Sequence, residues 1–312
     1  LPQTRPRSYE LTPSLVAAYA GGPVVCLSPV AVGRRYRLRA ARPGAESNRQ
    51  VYRRPGGLRG DLPSGANHTI GPVAPAPPGL IRVDISGPLE QRAGYHDECG
   101  GWSDGYDAIA DRLCAAFEVA DVLLVVDSPG GACAGLQQGV ARALAAKVAK
   151  GRRVTVWADE LIGSAAVWVS MVLGDELFIP VAGQIGSIGA RGAHASIAGA
   201  LEKEGVAFTY FADPPEKVAL APERPLDEVG LARGMRDVKI AADAFRAAVC
   251  ASPIGVRHGL TPEGLYALGA DVLTGQAAVD AGLADGVATF EEVVEYALKQ
   301  AGREEAALRE TG

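Results

Sequence analysis

Residues 122–126 read VLLVV, an apolar run with no polar alternation. A strand with one wet face alternates, so an unbroken run of this kind is expected to be covered on both faces. It ends in Asp127-Ser128-Pro129-Gly130-Gly131 and leads into a helical stretch, 133–150, with Gly151 as its stop. A doubly buried strand feeding a helix is the unit of a parallel sheet with right-handed crossovers.

The rest of the second region repeats that texture. Residues 80–85 alternate like a strand, and 105–117 carry Tyr106, Ile109, Leu113 and Phe117 at helical spacing. A strand at 154–157 turns through Asp159, Glu160 and Gly163 into a small-residue helix that begins at Ser164. Residues 177–180 read as a strand, 183–189 as a Gly-punctuated turn or strand, and 195–204 as a helix. Residues 206–211 (VAFTYF) read as a strand, and 213–225 as a loop with four prolines. A long amphipathic helix is expected over 226–250, with shorter helices over 274–281 and 290–299. The expected organisation is an α/β domain over 78–300 and a short tail over 301–312. Before them, 1–77 form an irregular arm rich in Pro, Gly and Arg.

With 312 residues and a formal net charge of −5, nothing in the overall balance points to nucleic acid. The arginines at 34–54 read as a solvated arm rather than a binding patch. Five cysteines without a repeated short spacing argue against a disulfide framework and against a zinc site, so no metal and no cofactor is expected. The apolar stretch 15–32 is interrupted by Gly21, Gly22, Pro23 and Pro29, and no membrane span is expected. A cytoplasmic setting follows as the default.

Where could chemistry lie? A serine at the start of a helix that follows a buried strand sits among free backbone N–H groups and the positive end of the helix dipole. Attack by Ser164 would create an oxyanion there. The plainer reading is that Ser164 caps the helix. The Asp127–Gly131 turn lies at the carboxyl end of a strand, where ligands bind in open α/β sheets. Its two glycines let backbone N–H groups approach a substrate, as half of an oxyanion hole would require. A serine also needs a base. Of the four histidines, His68, His96, His194 and His258, none stands in a setting that announces a triad, and His194 is the best placed. The other option is a lysine held neutral by burial, which can then accept a proton. Lys217, flanked by apolar residues and stiffened by Pro214, Pro215 and Pro222, is the candidate; a solvated loop lysine is the alternative.

Taken together these stretches resemble the signal peptide peptidase A (protease IV) family of serine peptidases, and within it the capsid-assembly protease branch of tailed phages. The resemblance runs over about 80–287. It rests on Gly87-Pro88-Leu89, Asp127–Gly131, Ser164-Ala165-Ala166, Gly186-Ser187-Ile188-Gly189, Ala193-His194, Lys217, Gly275-Gln276-Ala277-Ala278 and Ala281-Gly282-Leu283-Ala284-Asp285. It implies a crotonase-like (ClpP-like) fold with a parallel β-sheet flanked by helices. It also implies a Ser–Lys dyad, with Ser164 the nucleophile and Lys217 the general base. Ser187 would orient the lysine amine, and the backbone amides of Gly131 and Ala165 would form the oxyanion hole. His194 is carried over as scaffold. The sequence departs from the phage pattern around the lysine, where Ala219-Leu220-Ala221-Pro222 keeps only the proline.

The implied activity is peptide-bond hydrolysis, with a protein or peptide substrate, scaffold and capsid proteins among the partners, and a homo-oligomeric ring. It would act in the host cytoplasm or the phage prohead. Three rivals share the fold: a membrane-anchored signal peptide peptidase, a CoA-binding hydratase or isomerase, and an inactive ring-forming structural protein. Retention of both dyad residues separates the peptidases from the last two.

Overall fold

The computed structural model describes residues 79–96 and 101–311. The expected arm at 1–77, with its arginines, His68 and Cys26, lies outside the described residues, as does Cys99.

In chain order the strands and helices are β1 (Leu80–Ser86), β2 (Leu89–Glu90), β3 (Gly94–His96), β4 (Gly101–Gly105), α1 (Tyr106–Phe117), β5 (Asp121–Ser128) and α2 (Leu136–Ala149). Then follow β6 (Val154–Gly163), α3 (Ala165–Leu173), β7 (Glu176–Ile179), β8 (Gln184–Gly186), α4 (Ala198–Lys203), a 3-10 turn (Pro215–Val218) and α5 (Glu228–Ala251). The chain closes with α6 (Pro253–Arg257), α7 (Pro262–Ala267), β9 (Val272–Thr274), α8 (Gln276–Asp280), β10 (Gly286–Val287) and α9 (Phe290–Thr311).

The main sheet runs β1-β5-β6-β7-β10, every neighbouring pair parallel. β5 lies inside it, and its side chains alternate between two apolar layers. Val122, Leu124 and Val126 enter the larger layer, with α1, α2, α3 and α5. Leu123 and Val125 enter a smaller one with Trp157, Phe178 and the α9 residues Val293, Tyr296 and Ala297. The unbroken run at 122–126 thus has its explanation: both faces are covered. Each such side chain contributes about 1.5–3 kcal/mol on burial.

Three local readings are corrected. First, β6 does not stop at 157; it runs to Gly163. Its first half pairs with β7 and its second half, Leu161–Gly163, with β8. The register against β5 jumps between Val126↔Ala158 and Ser128↔Ile162, an irregularity that takes in the polar pair Asp159-Glu160 and bends the strand away from β7. Second, residues 206–211 form no strand. High β propensity describes side chains that suit a paired, half-buried ribbon, and among the described residues no strand pairs with this segment. Third, the cysteines are not all free thiols, because Cys133 is disulfide-bonded.

Candidate active site

α3 is buried along its whole length. It begins where β6, bent onto β8, delivers Gly163 between the carboxyl ends of two strands. Ser164 follows with φ 50 and ψ −122, outside the ordinary regions for a residue with a side chain. Its amide donates to Gly186 O at 2.9 Å, and its carbonyl accepts from Val167 N at 2.8 Å. Its side chain makes no capping hydrogen bond. The plainer reading of this serine is therefore not met: the hydroxyl at the helix start is not spent on the helix.

The turn after β5 approaches the same point. Leu89 forms an isolated parallel bridge with Gly131. Its amide donates to Gly130 O at 2.9 Å, and its carbonyl accepts from Ala132 N at 2.8 Å. In such a bridge the amide of the central residue, Gly131, faces the other way. A Cβ on Gly131 would lie 1.8 Å from Leu89 O, so only glycine fits. Gly130, at φ 85, comes so close that a Cβ there would be 2.7 Å from both Ala165 N and the Ser164 Cβ. Ala165 is the first residue of α3, so its amide has no partner within the helix. The two amides named from the sequence thus belong to segments packed against each other beside Ser164.

Sequence reasoning missed what holds this turn. Tyr106, buried at the start of α1, donates its hydroxyl to Ala132 O at 2.6 Å. Burial, reinforced by Glu90, pushes its phenol well above the usual range, so it stays a donor. Ser128 adds a second clamp, donating to Gly87 O at 2.7 Å and accepting from Gly130 N at 3.1 Å. Tyr106 had announced itself only as an apolar helix position. Nothing in its spacing pointed toward Ala132, 26 residues on.

Ser187 follows Gly186, whose carbonyl holds the Ser164 amide. It too has positive φ, 57, and its amide donates to Asp271 O at 3.0 Å. Lys217 is exposed, on the 3-10 turn. The turn is fixed to α5 through Arg233, which donates to Glu216 O at 2.9 Å. Ala241, on the same helix, lines the cavity beside Ser164. Arg233 and Ala241 are separated by roughly 12 Å along the helix axis. The chain thus brings the segments of Ser164, Ser187, Gly131 and Ala165 together, while Lys217 is exposed on a turn fixed to the helix that lines the cavity beside Ser164. His194 contacts Ala221 O at 3.3 Å and ties two loops together, as a scaffold residue would. His258 packs on Asp285 at 3.0 Å, within a cluster that also takes in Arg257.

The cavity at Ser164 is small, about 20 Å³. A larger depression of about 300 Å³, lined by Leu201, Val206 and Phe208 among others, includes neither Ser164 nor Lys217. Size does not decide here, because the small cavity is the one that touches the strained serine. Among the described residues no three His, Cys, Asp or Glu side chains group as metal ligands, and no helix is long and apolar enough to cross a membrane.

Residues 146–304 match the model for peptidase family S49, a stretch that contains Ser164, Ala165, Ser187 and Lys217 and begins after Gly131. Capsid assembly protease C of Escherichia phage lambda is 31% identical over 211 residues, covering 66% of this chain and 46% of that protein. Head-tail preconnector protein GP5 of Enterobacteria phage P21 is 30% identical over 212 residues, covering 66% of this chain and 40% of that protein. The chain therefore spans less than half the length of these two relatives.

Proposed function

The chain belongs to peptidase family S49, and from that premise we propose that it is a serine endopeptidase working through a Ser164–Lys217 dyad on a crotonase-like (ClpP-like) fold. The observation that carries the reading is the backbone at Ser164. A non-glycine residue at φ 50 keeps its hydroxyl off the helix and beside two segments that supply the Gly131 and Ala165 amides.

In this reading neutral Lys217 takes the Ser164 proton as Oγ attacks the peptide carbonyl. The carbonyl oxygen becomes an oxyanion held by the Gly131 and Ala165 N–H groups. The Lys217 ammonium then protonates the departing amine. Water, deprotonated in turn by Lys217, hydrolyses the acyl-enzyme and restores Ser164. Ser187 orients the amine. For this to run, Lys217 must leave solvent and meet Ser164, and a neighbouring copy or a bound substrate has to supply that burial. Of the two we propose the neighbouring copy, in a homo-oligomer. One relative is named a capsid assembly protease, and we propose phage scaffold and capsid proteins as the substrates, met in the host cytoplasm or the prohead.

The test is cleavage of an unfolded protein by wild type, Ser164→Ala and Lys217→Ala, each checked for folding. Loss of cleavage in both variants supports the dyad. Retention of cleavage in Lys217→Ala assigns the base elsewhere, and His194 is then the next residue to replace.

A further inference from the structure

The cavity beside Ser164 is apolar, and none of the described residues lining it is charged. Leu136, Trp168, Ala241 and Phe245 form much of its wall. Trp168 on α3 stacks on Phe245 of α5, with ring centroids 5.5 Å apart and planes inclined by 25°. Both rings are about 4% exposed, and Ala241 is 3% exposed. Ala241 and Phe245 are one helical turn apart, on one face of α5. Neither ring can swing aside without separating two packed helices, so the cavity has a fixed depth.

An acyl group on Ser164, with its oxygen turned to Gly131 and Ala165, has to direct the side chain of its own residue into the adjoining space. That space is about 20 Å³. A space this much smaller than the depression by Phe208, and walled by two buried rings, suits a small apolar side chain. We infer that Trp168, Phe245 and Ala241 set the cleavage specificity by admitting alanine on the acyl side of the cleaved bond, tolerating glycine, and refusing branched and aromatic residues. This rests on the peptidase reading proposed above and adds its substrate class. Trp168 and Phe245 are the largest side chains lining the cavity. Ala241 leaves open what a larger residue would fill.

The experiment uses the full chain and an octapeptide series identical except for Gly, Ala, Val, Leu or Phe before the cleaved bond. Wild type should cleave the Ala peptide at least about tenfold faster than the Val, Leu and Phe peptides, since one surplus carbon in a closed apolar pocket costs about that much. Phe245→Leu should raise Val and Leu cleavage relative to Ala by about tenfold. Ala241→Val should act in the opposite sense, lowering Ala cleavage about tenfold relative to Gly cleavage. The inference is overturned if wild type cleaves Leu or Phe peptides as fast as Ala, or if both variants fold and leave the ranking unchanged. If either variant fails to fold, the wild-type ranking decides.

A second arm measures binding of the same peptides to Ser164→Ala by calorimetry, which separates the two ideas. Should wild type cleave none of the series, tighter binding of the Ala peptide by tenfold or more keeps the pocket assignment and removes the peptidase reading. Equal binding across the series, or none, removes both.

Discussion

Ser164 holds a backbone conformation that costs a residue with a side chain about 1–3 kcal/mol. The cost is sustained by its surroundings: Gly186 O takes the amide, and Gly130 leaves room for the serine because it has no Cβ. A glycine at 164 would relax that strain, whereas an alanine would keep it. Ser164→Gly should therefore be more stable than Ser164→Ala by about 1 kcal/mol in urea denaturation, with both devoid of cleavage. A glycine variant less stable than the alanine one would remove strain from the account of this site. Gly131 makes the complementary case. Gly131→Ala forces a Cβ against Leu89 O and has to displace the bridge. Cleavage should fall by about 10²-fold or more even in protein that stays folded, since an oxyanion donor moves with it. Unchanged kcat in Gly131→Ala would separate this amide from the chemistry.

Away from the site, Asp121 shows how a single buried carboxyl responds to pH. Burial raises its pKa above the ordinary carboxylate value, an effect only partly opposed by the hydrogen bond from Arg153 N. An acid whose folded pKa lies above its unfolded one contributes stability at low pH that is lost as pH rises through the folded value. Asp121→Asn removes that loss and keeps an oxygen for Arg153 N. The Tm of the variant minus that of wild type should thus be more positive at pH 7 than at pH 4. A difference that grows as pH falls would reverse the sign of the argument.

At the scale of elements, the sheet was legible where one signal sufficed. Residues 122–126 announced a doubly covered strand because both sheet faces are packed, and residues 226–250 announced a helix because one stripe of α5 meets the core. The second half of β6 was not legible. Asp159-Glu160 reads as a turn, and only the later pairing of Leu161–Gly163 with β8 makes the segment a strand. In the candidate site, Ser164 and the glycines were legible from type and order, while φ at Ser164 and the Tyr106 clamp depend on contacts that no local pattern carries. The join between α2 and β7 was equally hidden. Lys147, nearly buried near the end of α2, meets Asp175 at 2.8 Å and donates to Leu173 O at 2.8 Å. Asp175 also accepts from Val154 N at 2.8 Å. Removing Asp175 leaves both an ammonium and an amide without that acceptor, whereas removing Lys147 leaves Asp175 one donor. Asp175→Ala should cost about 3–5 kcal/mol, and more than Lys147→Met, in denaturant titration. The reverse order would mean that the ammonium, rather than the carboxylate, is the centre of this join.

For the whole molecule, the exposed apolar surface is unevenly placed. Phe211 is 96% exposed and Phe208 54%, in a segment of strand-like composition that pairs with no strand among the described residues. Met235, 61% exposed, and Leu231 lie on the N-terminal half of α5, on the side that further along carries the buried Ala242 and Val249. A core-facing stripe that continues into solvent, on a chain that also exposes Phe208 and Phe211, has the character of a surface that another chain covers. Lys217 lies between these two segments in sequence and is itself exposed, on a turn fixed to α5. If a second copy covers the region, the same contact that buries Phe208 and Phe211 would also take Lys217 out of water, and assembly and activity would be linked. Replacing both phenylalanines with serine should then lower the oligomeric state in light scattering and lower kcat with it, while the thermal stability of the separated chain changes little. A monomeric double variant with full activity would break that link and leave the bound substrate as the agent that buries the lysine.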